Sequence, residues 1–297
     1  MMAVLVADLG GTNARLALAG DAVRPDSVAR YRGDDYPRFD DVIADYLAAQ
    51  GHPHIEAVCM AVAGPVRGGA ARLTNRDWQL STEGLMAQTG AKKALLINDM
   101  IALGHAVRPL TQAPRATVRE APGGDWNRQA LVVNAGTGFN ICPVLLGRDG
   151  ALCLEAEEGH TALPATIHAQ LTGLLGEGAK AFSSTEALFA GPGLARLHKA
   201  LTGRDETPEA IADAGSETVA LMARLFGELL REMAVRFMPG AGIWLAGSNA
   251  RTLGRYGAQI AQGFGRSDQM RDIPEATGIY LMEDDHAALS GCLAALT

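Results

Sequence analysis

The chain has 297 residues, 48% of them hydrophobic and 20% charged, with a formal net charge of −7. That is globular material, long enough to bury roughly three-quarters of its unfolded surface in one large domain or two of about 100–200 residues. It has no long basic run and no apolar run approaching about 18 residues, which argues against duplex nucleic acid as a main partner and against a membrane span.

The first predicted element is a hairpin. Residues 4–7 form an apolar strand that runs into Asp8, Gly10 and Gly11 make a turn, and residues 15–19 return. The two glycines let the backbone take positive φ and come close to a ligand. Thr12 and Asn13 add a hydroxyl and an amide. An acid at a strand end beside a glycine turn suits a magnesium-bound phosphate, with turn N–H groups on phosphate oxygens and Asp8 facing the metal or its waters. The alternative is an ordinary hairpin in which Asp8 is only a turn residue.

A polar connection follows over 21–38, with Tyr31 on a short strand. Phe39, Val42, Ile43, Tyr46 and Leu47 then repeat with helical spacing. Residues 57–63 are a continuous apolar run of strand length, suited to a covered parallel sheet. Strand, strand, helix, strand is an α/β order. Gly68 and Gly69 turn the chain into a short strand at 70–73 that leads to Thr74, Asn75 and Trp78, and Ser81 caps a helix to about Gln88. Residues 94–97 are the next buried strand, ending in Asn98 and Asp99, with a helix over 101–107.

Residues 108–128 hold Pro109, Pro114, Pro122, Gly123 and Gly124, and read as a crossing between domains plus a hairpin or loop. The opening theme then recurs, with an apolar strand at 130–133, a glycine turn from Asn134 through Gly136, Thr137 and Gly138, and a return over 139–146. Two such units suggest a duplicated architecture, each supplying one phosphate-facing turn. A strand at 151–155 leads to the polar cluster Glu157, Glu158, Gly159 and His160, then a helix over 164–174. Ser183 or Ser184 caps a helix that carries Glu186 and is ended by Gly191-Pro192-Gly193. Helices follow at 194–201 and from Pro208, and a long one at 216–238 has a core stripe from Val219 to Phe237. A strand at 242–246 ends in Gly247-Ser248-Asn249 and enters a helix to about Phe264; strand 278–282 and helix 285–296 close the chain.

Two familiar nucleotide signatures are missing. No G-x-x-x-x-G-K-[ST] occurs, and Gly136-x-Gly138 lacks the third glycine of a dinucleotide fingerprint. Cys59, Cys142, Cys153 and Cys292 show no Cys-x-x-Cys spacing and read as buried reduced thiols of a cytoplasmic protein; no signal peptide is expected. What remains is Asp8, Asp99 and two glycine turns at strand ends, which in an α/β sheet face one crevice. Asp99 is placed either to receive a hydroxyl proton in phosphoryl transfer or to cap its helix. Glu157, His160 and Glu186 would form a polyol clamp. Plainer readings are Glu186 as a first-turn residue that suits the helix dipole and His160 as a satisfied loop histidine, and metal binding by Glu157, Glu158 and His160 is a third option.

DLGGTNARLAL, AGPV followed by TNRDW, INDM, NAGTG, EEGH and STEAL-FAGPGL occur in the order found in bacterial glucokinases of the hexokinase–actin superfamily. The chain resembles that family over nearly its whole length. It is less similar to the repressor-type sugar kinases, whose cysteine-rich zinc motif it lacks. The resemblance implies an α/β fold of two actin-like (ribonuclease H-like) domains with a sugar cleft between them. The smaller domain would be 1–108 plus 285–297 and the larger 109–284. It implies ATP and Mg2+ as cofactors, and glucose and ATP as partners of a cytoplasmic homodimer that binds neither nucleic acid nor membrane. It makes Asp99 the catalytic base and gives the glucose hydroxyls to Asn98, Asp99, Gly138, Glu157, His160 and Glu186. Asp8, Gly10, Gly11, Thr12 and Asn13 become the first phosphate turn, with Asp8 toward Mg2+ through water. Gly136, Thr137 and Gly138 become the second, and Gly247 opens the adenosine site. The sequence departs from the family at Asn134, Asn140, Glu158 and Ser248, where glycine is usual; Asn134, Asn140 and Ser248 put side chains where phosphate or nucleoside should approach, and Glu158 stands in the sugar loop. A sugar-binding regulator with weak or no kinase activity, or a kinase for another hexose, are the alternative functions.

Overall fold

The computed structural model describes residues 3–73, 77–113, 115–121, 126–265 and 270–297. Thr74, Asn75, Pro114, Pro122, Gly123 and Gly124 lie outside the described residues. The chain divides into two compact units, residues 1–109 with 148–151 and 284–297, and residues 110–147 with 152–283.

The first unit opens with strands β1 (Ala3–Leu9), β2 (Asn13–Ala19) and β3 (Ala29–Arg32), then helix α1 (Phe39–Ala49) and strand β4 (Ile55–Val62). A small sheet follows from β5 (Val66–Arg67), β6 (Ala70–Arg72) and β7 (Gln79–Ser81), then α2 (Thr82–Thr89), β8 (Lys93–Asn98) and α3 (Asp99–Thr111). The main sheet has the order β3-β2-β1-β4-β8, with β1 antiparallel to β2 and parallel to β4. Both faces of β1 and β2 are covered, which is why their sequence reads as nearly continuous apolar residues. Leu5, Ala7, Leu9, Leu16 and Leu18 pack with Phe39, Val42, Ile43, Tyr46 and Leu85 on one face. Val6, Ala17 and Ala19 pack with Cys59, Ala102, Leu289 and Cys292 on the other. Tyr46 brings a hydroxyl into the first of these cores and donates it to the Ser27 carbonyl at 2.9 Å.

The second unit contains β9 (Ala116–Arg119), β10 (Gln129–Ala135), β11 (Phe139–Leu146) and β12 (Ala151–Cys153). Helices α4 (Ala165–Leu175), α5 (Thr185–Phe189), α6 (Gly191–Thr202), α7 (Pro208–Asp213) and α8 (Glu217–Phe237) follow. Strand β13 (Ile243–Ala246), helices α9 (Ser248–Gly254), α10 (Gly257–Phe264) and α11 (Asp272–Ala276), and strand β14 (Ile279–Leu281) complete it. Helix α12 (Ala287–Ala294) returns to the first unit. The second sheet has the order β12-β11-β10-β13-β14-β9. Leaving out β9, its neighbours repeat those of the first sheet: a hairpin, then two strands parallel to the hairpin's first. The apolar stripe of α8 is core, with Val219, Met222, Phe226, Leu229, Leu230 and Met233 buried against Leu131, Val133 and Leu245.

Four expectations change. Residues 108–128 are not only a crossing: α3 runs through Pro109 to Thr111, and β9 adds to the sheet edge, pairing antiparallel with β14. A proline in the last turn removes a single intrahelical donor, which the helix tolerates there. Gly191-Pro192-Gly193 starts α6 rather than ending α5, consistent with proline's place in a first helical turn. The helix expected from Ser248 to Phe264 is broken between Gly254 and Gly257 into α9 and α10, because α10 turns to pack on α8. Cys59, Cys142 and Cys292 are buried free thiols, but Cys153, on short β12, is only half-buried. Among the described residues no helix is long and apolar enough to cross a membrane.

Candidate active site

In the first unit the relevant groups sit at the ends of β1 and β8. Asp8 lies opposite Arg15 in the β1–β2 register, and Arg15 Nη1 stands 3.5 Å from Asp8 Oδ2 and 3.3 Å from the Asp285 carbonyl. Burial pushes the Asp8 carboxyl above its ordinary range, and Arg15 offsets only part of that. The turn closes through Gly10 N–H to the Asn13 carbonyl at 3.0 Å, and Gly33 N–H holds the Thr12 carbonyl at 2.9 Å. The freedom these glycines offer is not used for positive φ, since neither Gly10 nor Gly11 has one. The turn closes with Asn13 already on β2, without a left-handed residue.

Asn98 ends β8 and Asp99 begins α3. The Asn98 side chain accepts the Met100 N–H at 2.9 Å and donates to the Gly64 carbonyl at 3.2 Å. It therefore does much of the capping that Asp99 was a candidate for, although Asp99 Oδ1 also accepts the Met100 N–H, at 3.0 Å. Burial first, and the charge of Asp8 second, raise the Asp99 carboxyl to about 6. A carboxylate tuned toward neutrality is a usable general base.

In the second unit, the glycine turn, the loop after β12 and α5 meet. Gly136 N–H bonds the Gly138 carbonyl at 2.9 Å, and Gly191 N–H bonds the Gly136 carbonyl at 2.8 Å; Thr137 is exposed at the tip. Glu186, on α5, accepts the Phe139 N–H at 2.9 Å beside Gly138. Ser184 is the residue that caps α5, accepting the Ala187 N–H at 3.2 Å. Glu157 and His160 are exposed on either side of buried Gly159, in a short 3-10 turn spanning Glu158–His160. A side chain at Gly159 would put its Cβ 2.2 Å from the Phe139 carbonyl oxygen, so only glycine lets this loop lie against β11. Thr185 N–H bonds the Thr161 carbonyl at 3.0 Å and ties the loop to α5. Gly247 has φ 91° and precedes α9; a Cβ there would fall 2.4 Å from the Ala135 carbonyl oxygen and 2.5 Å from Asn134 Oδ1. It therefore needs glycine on both conformational and steric grounds. Gly136 adjoins Gly247 and exposed Ser248, so the turn and the start of α9 form one surface.

The sites of departure resolve differently from expectation. Asn134 and Asn140 face each other across β10 and β11 in extended backbone, and neither needs positive φ. Asn134 points toward Gly247, and Asn140 bonds the loop at 156–158. Sequence reasoning did not identify Arg15 or Arg236 as site groups. Arg15 could have been found, since opposite charges flanking a tight hairpin are cross-strand partners. Arg236, on α8, pairs with Glu158, and no local pattern signals that. Among the described residues no group of three or more His, Cys, Asp or Glu side chains could hold a metal ion. The acids nearest the turns, Asp8 and Asp99, are the ones that could face a hydrated cation.

A glucokinase family model matches residues 5–297. A glucokinase of Saccharophagus degradans is 32% identical over 269 residues, covering 83% of this chain and 83% of that protein. A glucokinase of a Caulobacter species is 30% identical over 318 residues, covering 99% of this chain and 94% of that one. Among solved structures, a glucokinase from an Antarctic psychrotroph matches with a TM-score of 0.84 at 25% identity, over 100% of this chain and 99% of that one.

Proposed function

The chain belongs to the glucokinase family, and from that premise we propose that it transfers the γ-phosphoryl group of ATP to the 6-hydroxyl of glucose. Its fold is the two-domain, actin-like α/β fold of these sugar kinases. The observation that carries the reading is Asp99: a carboxylate raised to about 6, fixed at a helix start and beside a second acid. Asp99 accepts the proton of the 6-hydroxyl as that oxygen attacks the γ-phosphorus, and the bond from phosphorus to the ADP oxygen breaks. Positioning and charge stabilisation carry most of such a transfer. The turns at Gly10–Asn13 and Gly136–Gly138 face phosphate oxygens, and Gly247 leaves room for the nucleoside. Asn98, Gly138, Glu157, His160 and Glu186 bind the sugar hydroxyls.

Asp8 is the group that would face Mg2+, through water. The fit is sound, because Asp8 and Asp99 repel and Arg15, at 3.5 Å, offsets only part of the burial of Asp8, while Mg2+ needs few protein carboxylates once phosphate oxygens are present. When bound, the ion would neutralise charge on the transferred phosphoryl group. The four free cysteines fit a cytoplasmic setting, and the working assembly is a homodimer.

A coupled kinase assay crossing a panel of hexoses with ATP, GTP and polyphosphate tests the reading, with glucose 6-phosphate from ATP as the expected product. Glucose bound in calorimetry with no sugar phosphate from any donor would show a regulator instead; faster turnover of another hexose would correct the substrate.

A further inference from the structure

The loop that carries Glu157 and His160 poses a physical problem. Both side chains are exposed, on a short 3-10 turn that supplies little order of its own. A ligand that must order such a loop loses affinity to the entropy of doing so. Here the ordering is done beforehand: besides the tie of Thr161 to α5, side chains hold the loop from two further directions. On the β11 side, the Asn140 side chain donates through Nδ2 to the Ala156 carbonyl at 2.7 Å and reaches Glu157 Oε2 at 3.4 Å. Its Oδ1 accepts the Glu158 N–H at 3.1 Å. One amide thus bonds three consecutive residues, and the pattern fixes which end of it is oxygen, since an N–H must meet Oδ1 and a carbonyl must meet Nδ2.

On the α8 side, Arg236 in the last helical turn pairs with the Glu158 carboxylate through Nη1 and Oε1. The Glu158 side chain is 12% exposed, so this is a sheltered pair that surrounding water screens less than a surface one. A cavity of about 260 Å³ lies beside it, lined by Glu158, Glu232 and Arg236 together with Ala162, Pro164 and Ala165.

We propose that Asn140, Glu158 and Arg236 are positioning residues that clamp the 156–160 loop and set Glu157 for the sugar, so that hexose affinity depends on residues that never touch it. The proposal rests on the sugar-kinase reading above. Asn140 acts directly on the Glu157 carboxylate, and Arg236 acts one residue further away, through Glu158.

The test compares wild type with N140A, E158Q, R236M, R236K and the double variant E158Q/R236M. Each is measured for glucose Kd by calorimetry, for KM and kcat with glucose, for KM with ATP, and for Tm. N140A and R236M are expected to raise both Kd and KM for glucose about tenfold, as loss of a hydrogen bond to a charged or sheltered group does. Their kcat and KM for ATP should change less than about twofold, the signature of lost ground-state binding. E158Q/R236M should be no worse than either single variant, since both remove one interaction, and R236K should recover part of the affinity. Folded N140A and R236M with wild-type glucose affinity would overturn the clamp. So would equal losses in kcat and in ATP affinity, which mark general disruption. If N140A does not fold, R236M decides alone, because Arg236 is 49% exposed and its loss removes little packing. Wild-type protein that neither binds nor phosphorylates glucose overturns the functional reading, and the clamp with it, before any variant is compared.

Discussion

Asp99 is under opposing demands. As a base it must be charged, yet its surroundings favour the neutral acid and raise it from 3.8 to about 6. Over that window the folded state holds a proton that the unfolded chain has released. Its contribution to stability is therefore full below about pH 4 and is lost as pH rises through 6. Asp99→Asn keeps the shape and removes the charge. Its Tm at pH 7.5 should exceed that of wild type by about 2–4 °C, an effect kept small because the group is only half-buried. The two proteins should converge at pH 4. In the same variant kcat should fall about 10²–10⁴-fold while glucose still binds, and wild-type kcat/KM should decline below about pH 6. Near-normal turnover in Asp99→Asn, or a wild-type profile flat to pH 5, would remove Asp99 as the base.

Single elements depend unequally on their surroundings. Helix α8 would be recognisable anywhere by its length and stripe, whereas α12 has eight residues and could not persist alone. Its place comes from docking: Ala287, Ala288, Leu289 and Cys292 are buried, and Leu289 and Cys292 pack with Val6, Ala17, Ala19 and Cys59. Asp285, just before it, also receives the Arg15 side chain that stands beside Asp8. Each fully buried large apolar side chain contributes about 1.5–3 kcal/mol. Losing α12 and uncovering the sheet beneath it thus approaches the whole net stability of a domain, about 5–15 kcal/mol. A chain truncated before Asp285 should be largely insoluble, and any soluble fraction should be cut rapidly by protease within the first unit. A truncated protein with wild-type Tm would show that α12 is dispensable.

At the scale of the molecule, each unit has its own buried core, and the second presents an unusual surface. Leu145, Leu152 and Leu154 are 44%, 60% and 52% exposed, on and beside edge strand β12. An apolar edge of this kind invites pairing with another chain. If it serves the proposed homodimer, light scattering at assay concentration should give twice the mass of one chain. The double variant Leu152→Asp, Leu154→Asp should then run as a monomer. A wild-type monomer would reject the dimer, and a dimeric double variant would place its interface elsewhere.

The sequence by itself determined the parts that depend on neighbours in the chain. The continuous apolar run 57–63 marked a strand and the stripe of α8 a helix, because burial on both faces of a sheet makes every residue apolar whereas burial on one side of a helix imposes a period of 3.6. Asp8, Asp99 and the two glycine turns were legible because each sits where a strand ends. The place of β9 at the sheet edge was not legible within the crossing, because an edge strand needs no continuous apolar run. The break between α9 and α10 was hidden for a related reason, since it follows from docking on α8. Tertiary structure alone decided which side chains serve the loops. Glu186 reaches the Phe139 N–H across 47 residues, and Arg236 reaches Glu158 across 78. It also decided that Asn140 bonds the 156–158 loop, where sequence placed a side chain in the path of phosphate. Such bonds carry no local pattern, because their geometry exists only once the sheet and α8 have brought distant backbone together.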